Sequence, residues 1–155
     1  MTTVAVGIDH DVVTVTVDDD APRLLPVGIG VLRSRELHTD PPRPEELTNA
    51  IGAVFDHVDD IVRDAPHVLH ARVEVRGAAV HAIVAVEVGG EPTLPFLLSR
   101  DAAEDVFRTV ATEPAADRRL NPGLPPSMVD DIVPAACALV AVMRRLHLDH
   151  IEVVR

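Results

Sequence analysis

Lysine, tryptophan and tyrosine are missing from this 155-residue chain, and aromatic residues amount to only 2% of it. Val, Leu, Ile and Ala must therefore fill the interior, and a hydrophobic content of 47% supplies enough of them for one domain. With a single cysteine, Cys137, no intrachain disulfide can form, and its apolar surroundings mark it as a small core residue. The chain has no apolar run of roughly 18 residues to span a membrane. The opening MTTVAVGIDHDVV lacks the basic-then-apolar order of a signal peptide, so a cytoplasmic protein is expected. Neither a Gly-x-Ser-x-Gly elbow nor a His-Glu-x-x-His helix occurs. Arg supplies all 14 basic residues against 25 acidic ones, a net charge of −11. Such a surface repels phosphate backbones and anionic headgroups, so neither nucleic acid nor a membrane is expected as a partner.

What is present reads as one α/β layer domain over residues 1–155. Val4 to Ile8 and Val12 to Val17 are β-branched runs around the turn Asp9-His10-Asp11, the pattern of a hairpin. A third strand is expected from Arg23 to Gly28, followed by a loop from Gly28 to Pro44. Pro44 then opens an amphipathic helix, because Leu47, Ile51, Val54, Phe55, Val58, Ile61 and Val62 recur every three or four residues. Val68 to Val75 predicts a fourth strand. Gly77 to Val88 is so uniformly apolar that buried helix and buried strand fit equally. Ser99 caps an expected helix bearing Ala103, Val106, Phe107 and Val110 on one face. Asn121 to Pro126 is a Pro-rich loop, Ile132 to Leu146 a nearly all-apolar helix, and Ile151 to Val154 a last strand.

Two long stretches carry a resemblance. Asp40 to Arg63, DPPRPEELTNAIGAVFDHVDDIVR, is similar to the long helix in the second domain of actinobacterial exopolyphosphatases. The run from Leu98 to Leu148, through RRLNPGLPPSMVDDIVPAACALVAVMRRLHL, is similar to the C-terminal section of the same proteins, and LPVGIGVLRS resembles a strand after their first phosphate loop. The chain thus resembles the C-terminal lobe of the Ppx/GppA exopolyphosphatase and guanosine-pentaphosphatase family. The resemblance implies an actin-like, ribonuclease H-like lobe of the sugar kinase, Hsp70 and actin superfamily. Its mixed sheet is expected to have about five strands with helices packed on it.

That family holds phosphates between two lobes with Gly-rich loops, aided by a metal and a carboxylate of the N-terminal lobe. The first such loop falls on Asp9, His10 and Asp11, where carboxylates replace glycines. The second falls on Gly77 to His81, keeping Gly77 but losing the hydroxyls; Arg76 and His81 remain as groups able to meet an anion. Asn121 and Asp130 match family positions, whereas Leu120, Met128 and Pro134 stand where the family has His, Arg and a small residue. The resemblance therefore implies degenerate phosphate contacts at Asp9, His10, Asp11, Arg76, Gly77, His81, Asn121 and Asp130, with no catalytic residue and no N-terminal catalytic lobe. No cofactor or metal is expected, Mg²⁺ entering only with residual phosphatase activity. A binding or regulatory module is expected, paired as a homodimer or docked on a full-length exopolyphosphatase. The alternative is a residual exopolyphosphatase or (p)ppGpp/nucleotide phosphatase whose site a second chain completes. Asp9-His10-Asp11 also suits a metal by residue type, but a hairpin turn splays the three side chains apart. His67, His70, His147 and His150 read as scattered surface histidines.

Overall fold

A computed structural model describes residues 1–155. Three strands come first: β1 (Thr3–Ile8), β2 (Val13–Val17) and β3 (Arg23–Leu25). Helices α1 (Ile29–Arg35) and α2 (Pro44–Asp64) lead to β4 (Arg72–Arg76), then α3 (Ala78–Val88) and β5 (Phe96–Ser99). Helices α4 (Arg100–Thr112), α5 (Ala115–Arg118) and α6 (Ile132–Arg145) precede the last strand, β6 (His150–Val153).

The six strands form one mixed sheet in the order β3-β2-β1-β4-β6-β5. Strands β1, β4 and β6 run parallel, while β2, β3 and β5 are antiparallel to their neighbours. Period-two alternation divides the faces. Val4, Val6, Ile8, Val13, Val15, Val17, Val73, Val75, Ile151 and Val153 point into a single apolar cluster of 45 buried residues shared with the helices. Ala5, Thr14, Thr16, Glu74 and Glu152 lie on the other face, which stays open to solvent. The protein is thus a two-layer sandwich with its helices on one side of the sheet.

Helix α6 is the centre of the helical layer. Every residue from Ile132 to Met143 is buried, and α2, α4, α3 and α1 all pack on it. Each Val or Leu buried there contributes about 1.5–3 kcal/mol of transfer free energy. Arg145 closes the α2–α6 seam with a 2.7 Å hydrogen bond to Asp59, and its guanidinium lies over the Phe55 ring. The first turn of α2 is clasped by Glu46. Its carboxylate accepts the N–H groups of Arg43 (2.8 Å) and His38 (2.7 Å), together with the Thr39 hydroxyl. These bonds, that from Arg43 foremost, hold the Glu46 carboxyl at about 2, well below the ordinary 4.5.

The mixed sheet has six strands, Phe96–Ser99 joining it as an edge strand beside β6. The structure corrects three expectations. The expected loop from Gly28 to Pro44 contains α1. The fourth strand begins at Arg72, since Pro66–Val68 makes a 3₁₀ turn and His70 takes a left-handed φ of 60°. The third strand ends at Leu25 rather than at Gly28. The ambiguous segment after Gly77 is the helix α3.

Candidate functional site

In open α/β sheets the carboxyl ends of parallel strands, where connections diverge, are the usual place for a ligand. Here that edge is formed by the turn after β1 and the corner between β4 and α3. The turn folds back on itself through a 3.1 Å bond from the Asp9 N–H to the Val12 carbonyl. Its three carbonyls then receive the start of α1: Ile29 N–H donates to Asp9 (2.9 Å), Gly30 to His10 (2.8 Å) and Gly28 to Asp11 (3.3 Å). Gly28 is required by this approach, because a Cβ there would stand 2.4 Å from the His10 carbonyl oxygen. The His10 ring covers Gly30, within 2.4 Å of where its Cβ would be. The donors that open α1 are therefore engaged by protein carbonyls, while the Asp9 and Asp11 side chains stand exposed.

Gly77 forms the β4–α3 corner with a φ of 137°, a backbone region that L-residues rarely adopt. A Cβ on it would lie 2.5 Å from the Ile8 carbonyl oxygen, so the corner is pressed against the end of β1. No side chain caps the start of α3. Arg76 shares the open face of the sheet with Glu74, 3.9 Å away. His81, one turn into α3, has its Nε2 2.8 Å from the Val154 carbonyl, a bond that ties the end of the chain to the helix. That nitrogen is engaged by backbone.

Asn121 and Asp130 lie in other settings. Asn121 Oδ1 accepts the Gly123 N–H at 3.0 Å, and this turn seats Gly123 against the Ala85 carbonyl of α3. Asp130 is 4.0 Å from Arg33, whose guanidinium also bonds Asp131 at 3.1 Å. These two carboxylates flank the start of α6, where an anion would otherwise be favoured. Pro134, the third residue of α6, has no N–H to offer there. Asp130 lines a cavity of about 240 Å³ with Arg33, His38, Asp40, Arg118 and Pro134.

The structure therefore brings Asp9, His10 and Asp11 beside Gly77 at one sheet edge, and places Arg76, His81, Asn121 and Asp130 with separate partners. No three His, Cys, Asp or Glu side chains converge as ligands for a metal, so the residues present do not fit the ion that the resemblance associates with catalysis. Nothing local in the sequence marks Arg33, because the bonds that start α1 come from Asp9, His10 and Asp11, or Arg118, whose burial has no sequence signal.

No protein-family model matches the chain, and no curated protein matches it in sequence. Solved structures do match in shape. A Ppx/GppA phosphatase from Aquifex aeolicus superimposes with a TM-score of 0.87 at 15% identity, covering 99% of this chain and 53% of the other. An exopolyphosphatase-like protein gives 0.88 at 17% identity, covering 99% and 55%. An exopolyphosphatase from Cytophaga hutchinsonii gives 0.80 at 16%, covering 98% and 52%. The class is thus an actin-like α/β lobe. More particularly, the chain has the fold of one part of a Ppx/GppA phosphatase and spans about half the length of the proteins it matches.

Proposed function

We propose that this chain is a Ppx/GppA-like lobe that does not hydrolyse phosphoanhydrides and acts as a binding or regulatory module. It docks on a second copy of itself or on a full-length exopolyphosphatase. One observation carries the reading. The turn aligned with a phosphate loop offers carbonyls and carboxylates, and the N–H groups of Gly28, Ile29 and Gly30 that could have met phosphate are bonded to Asp11, Asp9 and His10. A phosphate arriving there would have to break those bonds beside two like charges. A site completed from Arg76, His81, Asn121 and Asp130 draws less support, since these side chains do not face one another.

Incubation with polyphosphate, guanosine pentaphosphate or ATP in the presence of Mg²⁺ is expected to release no phosphate above the buffer rate. Light scattering after size exclusion is expected to give a dimer, or co-elution with an added exopolyphosphatase. Magnesium-dependent turnover abolished by mutation of this lobe would overturn the first half of the reading. A monomer that retains no exopolyphosphatase would overturn the second.

A further inference from the structure

We propose that the open face of the sheet is a self-complementary surface that pairs with a second copy of this chain, the two sheets stacked about a two-fold axis close to the strand direction. This rests on the reading of the protein as a module that docks on itself, and it names the surface. The two halves of the face differ in build. On β1 and β2 the outward residues are Thr3, Ala5, Gly7, Thr14 and Thr16, all small. On β4 and β6 they are Arg72, Glu74, Arg76 and Glu152, all long. The order β3-β2-β1-β4-β6-β5 puts the boundary between these halves at the centre of the sheet. An axis along that boundary lays β4 of one copy over β1 of the other, β6 over β2 and β5 over β3. Long side chains then enter the shallow half on both sides. A hollow of about 220 Å³ lies over that half, with Ala5 and Thr16 in its floor and Arg72 and Glu74 along its wall.

Charge matches along the same axis. In register, Thr3 stands beside Arg72 and Gly7 beside Arg76. A carboxylate marks each end of the shallow half. Asp18 accepts the Thr3 N–H at 2.9 Å, and Asp9 Oδ2 lies 3.4 Å from where a Cβ on Gly7 would be. The axis leaves height along the strands unchanged, so Arg72 of one copy arrives at Asp18 of the other, and Arg76 at Asp9. Both arginines are free to make this exchange. Their side chains are more than half exposed, and their present pairs with Glu152 (3.4 Å) and Glu74 (3.9 Å) are of the exposed kind that holds weakly. The edge strands add apolar contact. Leu24 on β3 and Leu97 on β5 lie on this face beside Thr14 and Glu152, 67% and 65% exposed, and the axis brings each near the other. Six strands about 4.8 Å apart and about five residues long make a face of roughly 500 Å² before side-chain relief. Relief raises this toward the ~800 Å² per partner of a standard interface, so a weak dimer in the micromolar range is expected.

Sedimentation velocity over a concentration series tests this through a charge exchange. Arg76→Glu and Asp9→Arg each set like charges against one another across the axis, and each is expected to weaken dimerisation about tenfold or more. Mixed in equal amounts, the two variants are expected to form a heterodimer at wild-type concentrations, because each supplies the charge that the other's contact lacks. Such rescue separates a lost contact from a lost fold, which circular dichroism of each variant also checks. A dimer that neither substitution weakens overturns the proposal and leaves docking on a second copy standing. Weakened variants whose mixture does not dimerise overturn it as well. A wild-type chain that stays monomeric at every concentration overturns it too, and the wider reading then stands only if an added exopolyphosphatase is retained.

Discussion

Replacing Arg118 is expected to cost this protein a large part of its stability. The side chain is 6% exposed. It donates to the carbonyls of Glu113 (2.6 Å), Val129 (3.0 Å) and Val110 (3.3 Å), thereby fastening the end of α4 and the loop before α6. Val110 lies in the last turn of α4, where carbonyls have no partner within the helix. Arg118→Ala leaves these acceptors without the guanidinium, and each buried unsatisfied group costs about 1–3 kcal/mol. Partial access of water to the emptied space lowers the sum, giving a loss of about 3–5 kcal/mol against a typical domain stability of about 5–15 kcal/mol. With a urea slope of about 2 kcal/mol/M, the unfolding midpoint should fall by roughly 1.5–2.5 M. Lacking Trp and Tyr, the chain is followed by far-ultraviolet circular dichroism. Arg118→Lys should fall between the two, since one ammonium cannot span the three acceptors. Asp40→Asn should change stability by less than about 1 kcal/mol, because the Arg118–Asp40 contact is 3.7 Å and half exposed at the carboxylate. If Arg118→Ala lost less than about 1 kcal/mol, or Asp40→Asn lost as much as Arg118→Ala, the assignment of the stabilisation to the carbonyl bonds would be wrong.

Other outcomes follow from the same geometry. Gly77→Ala should destabilise by about 2–4 kcal/mol in thermal melts, through its φ of 137° and its collision with the Ile8 carbonyl. Gly52→Ala in α2 should instead stabilise by about 0.5–1 kcal/mol, because nothing lies within 4 Å of the added Cβ. The Glu46 carboxyl, held at about 2 by its hydrogen bonds, contributes stability that is complete above its ordinary value of 4.5 and lost as pH falls from there toward 2. Melting temperatures of Glu46→Gln should accordingly fall less steeply across that window than those of the wild type. Burial pushes the Cys137 thiol up to about 12, so a disulfide reagent at mildly alkaline pH should react only after denaturant is added.

The elements legible in the sequence are those whose local pattern and tertiary role agree. Helix α2 announces itself through its apolar stripe and Pro44, and β1 and β2 through β-branched residues around an acidic turn. Helix α1 was illegible because the signal that starts it lies elsewhere in the chain, in the carbonyls of Asp9, His10 and Asp11. Strand β5 is four residues long and exists by pairing with a strand made some fifty residues later. Around the candidate site, sequence located the turn and the Gly77 corner but not what each group bonds. The contact of His81 with Val154 and that of Arg33 with Asp131 are long-range facts that no spacing encodes. The histidines at 70, 147 and 150 read as scattered, yet all three border one cavity, because the sheet order makes neighbours of β4 and β6.

The position of α6 in the chain has a consequence for synthesis. This helix is the surface on which α2, α4 and α3 pack, and β6, which follows it, is an interior strand that alone joins β5 to the sheet. Until both have been translated, Val54, Val58, Ile83 and Val106 have no lasting cover, and Phe96–Ser99 has no strand to pair with. The nascent chain therefore leaves the ribosome as a hairpin and loosely held helices with apolar faces exposed, the state in which non-local folds are most prone to aggregate. Folding of this lobe waits on α6 and β6, and a chain interrupted before Ile132 is expected to be cut readily by proteases.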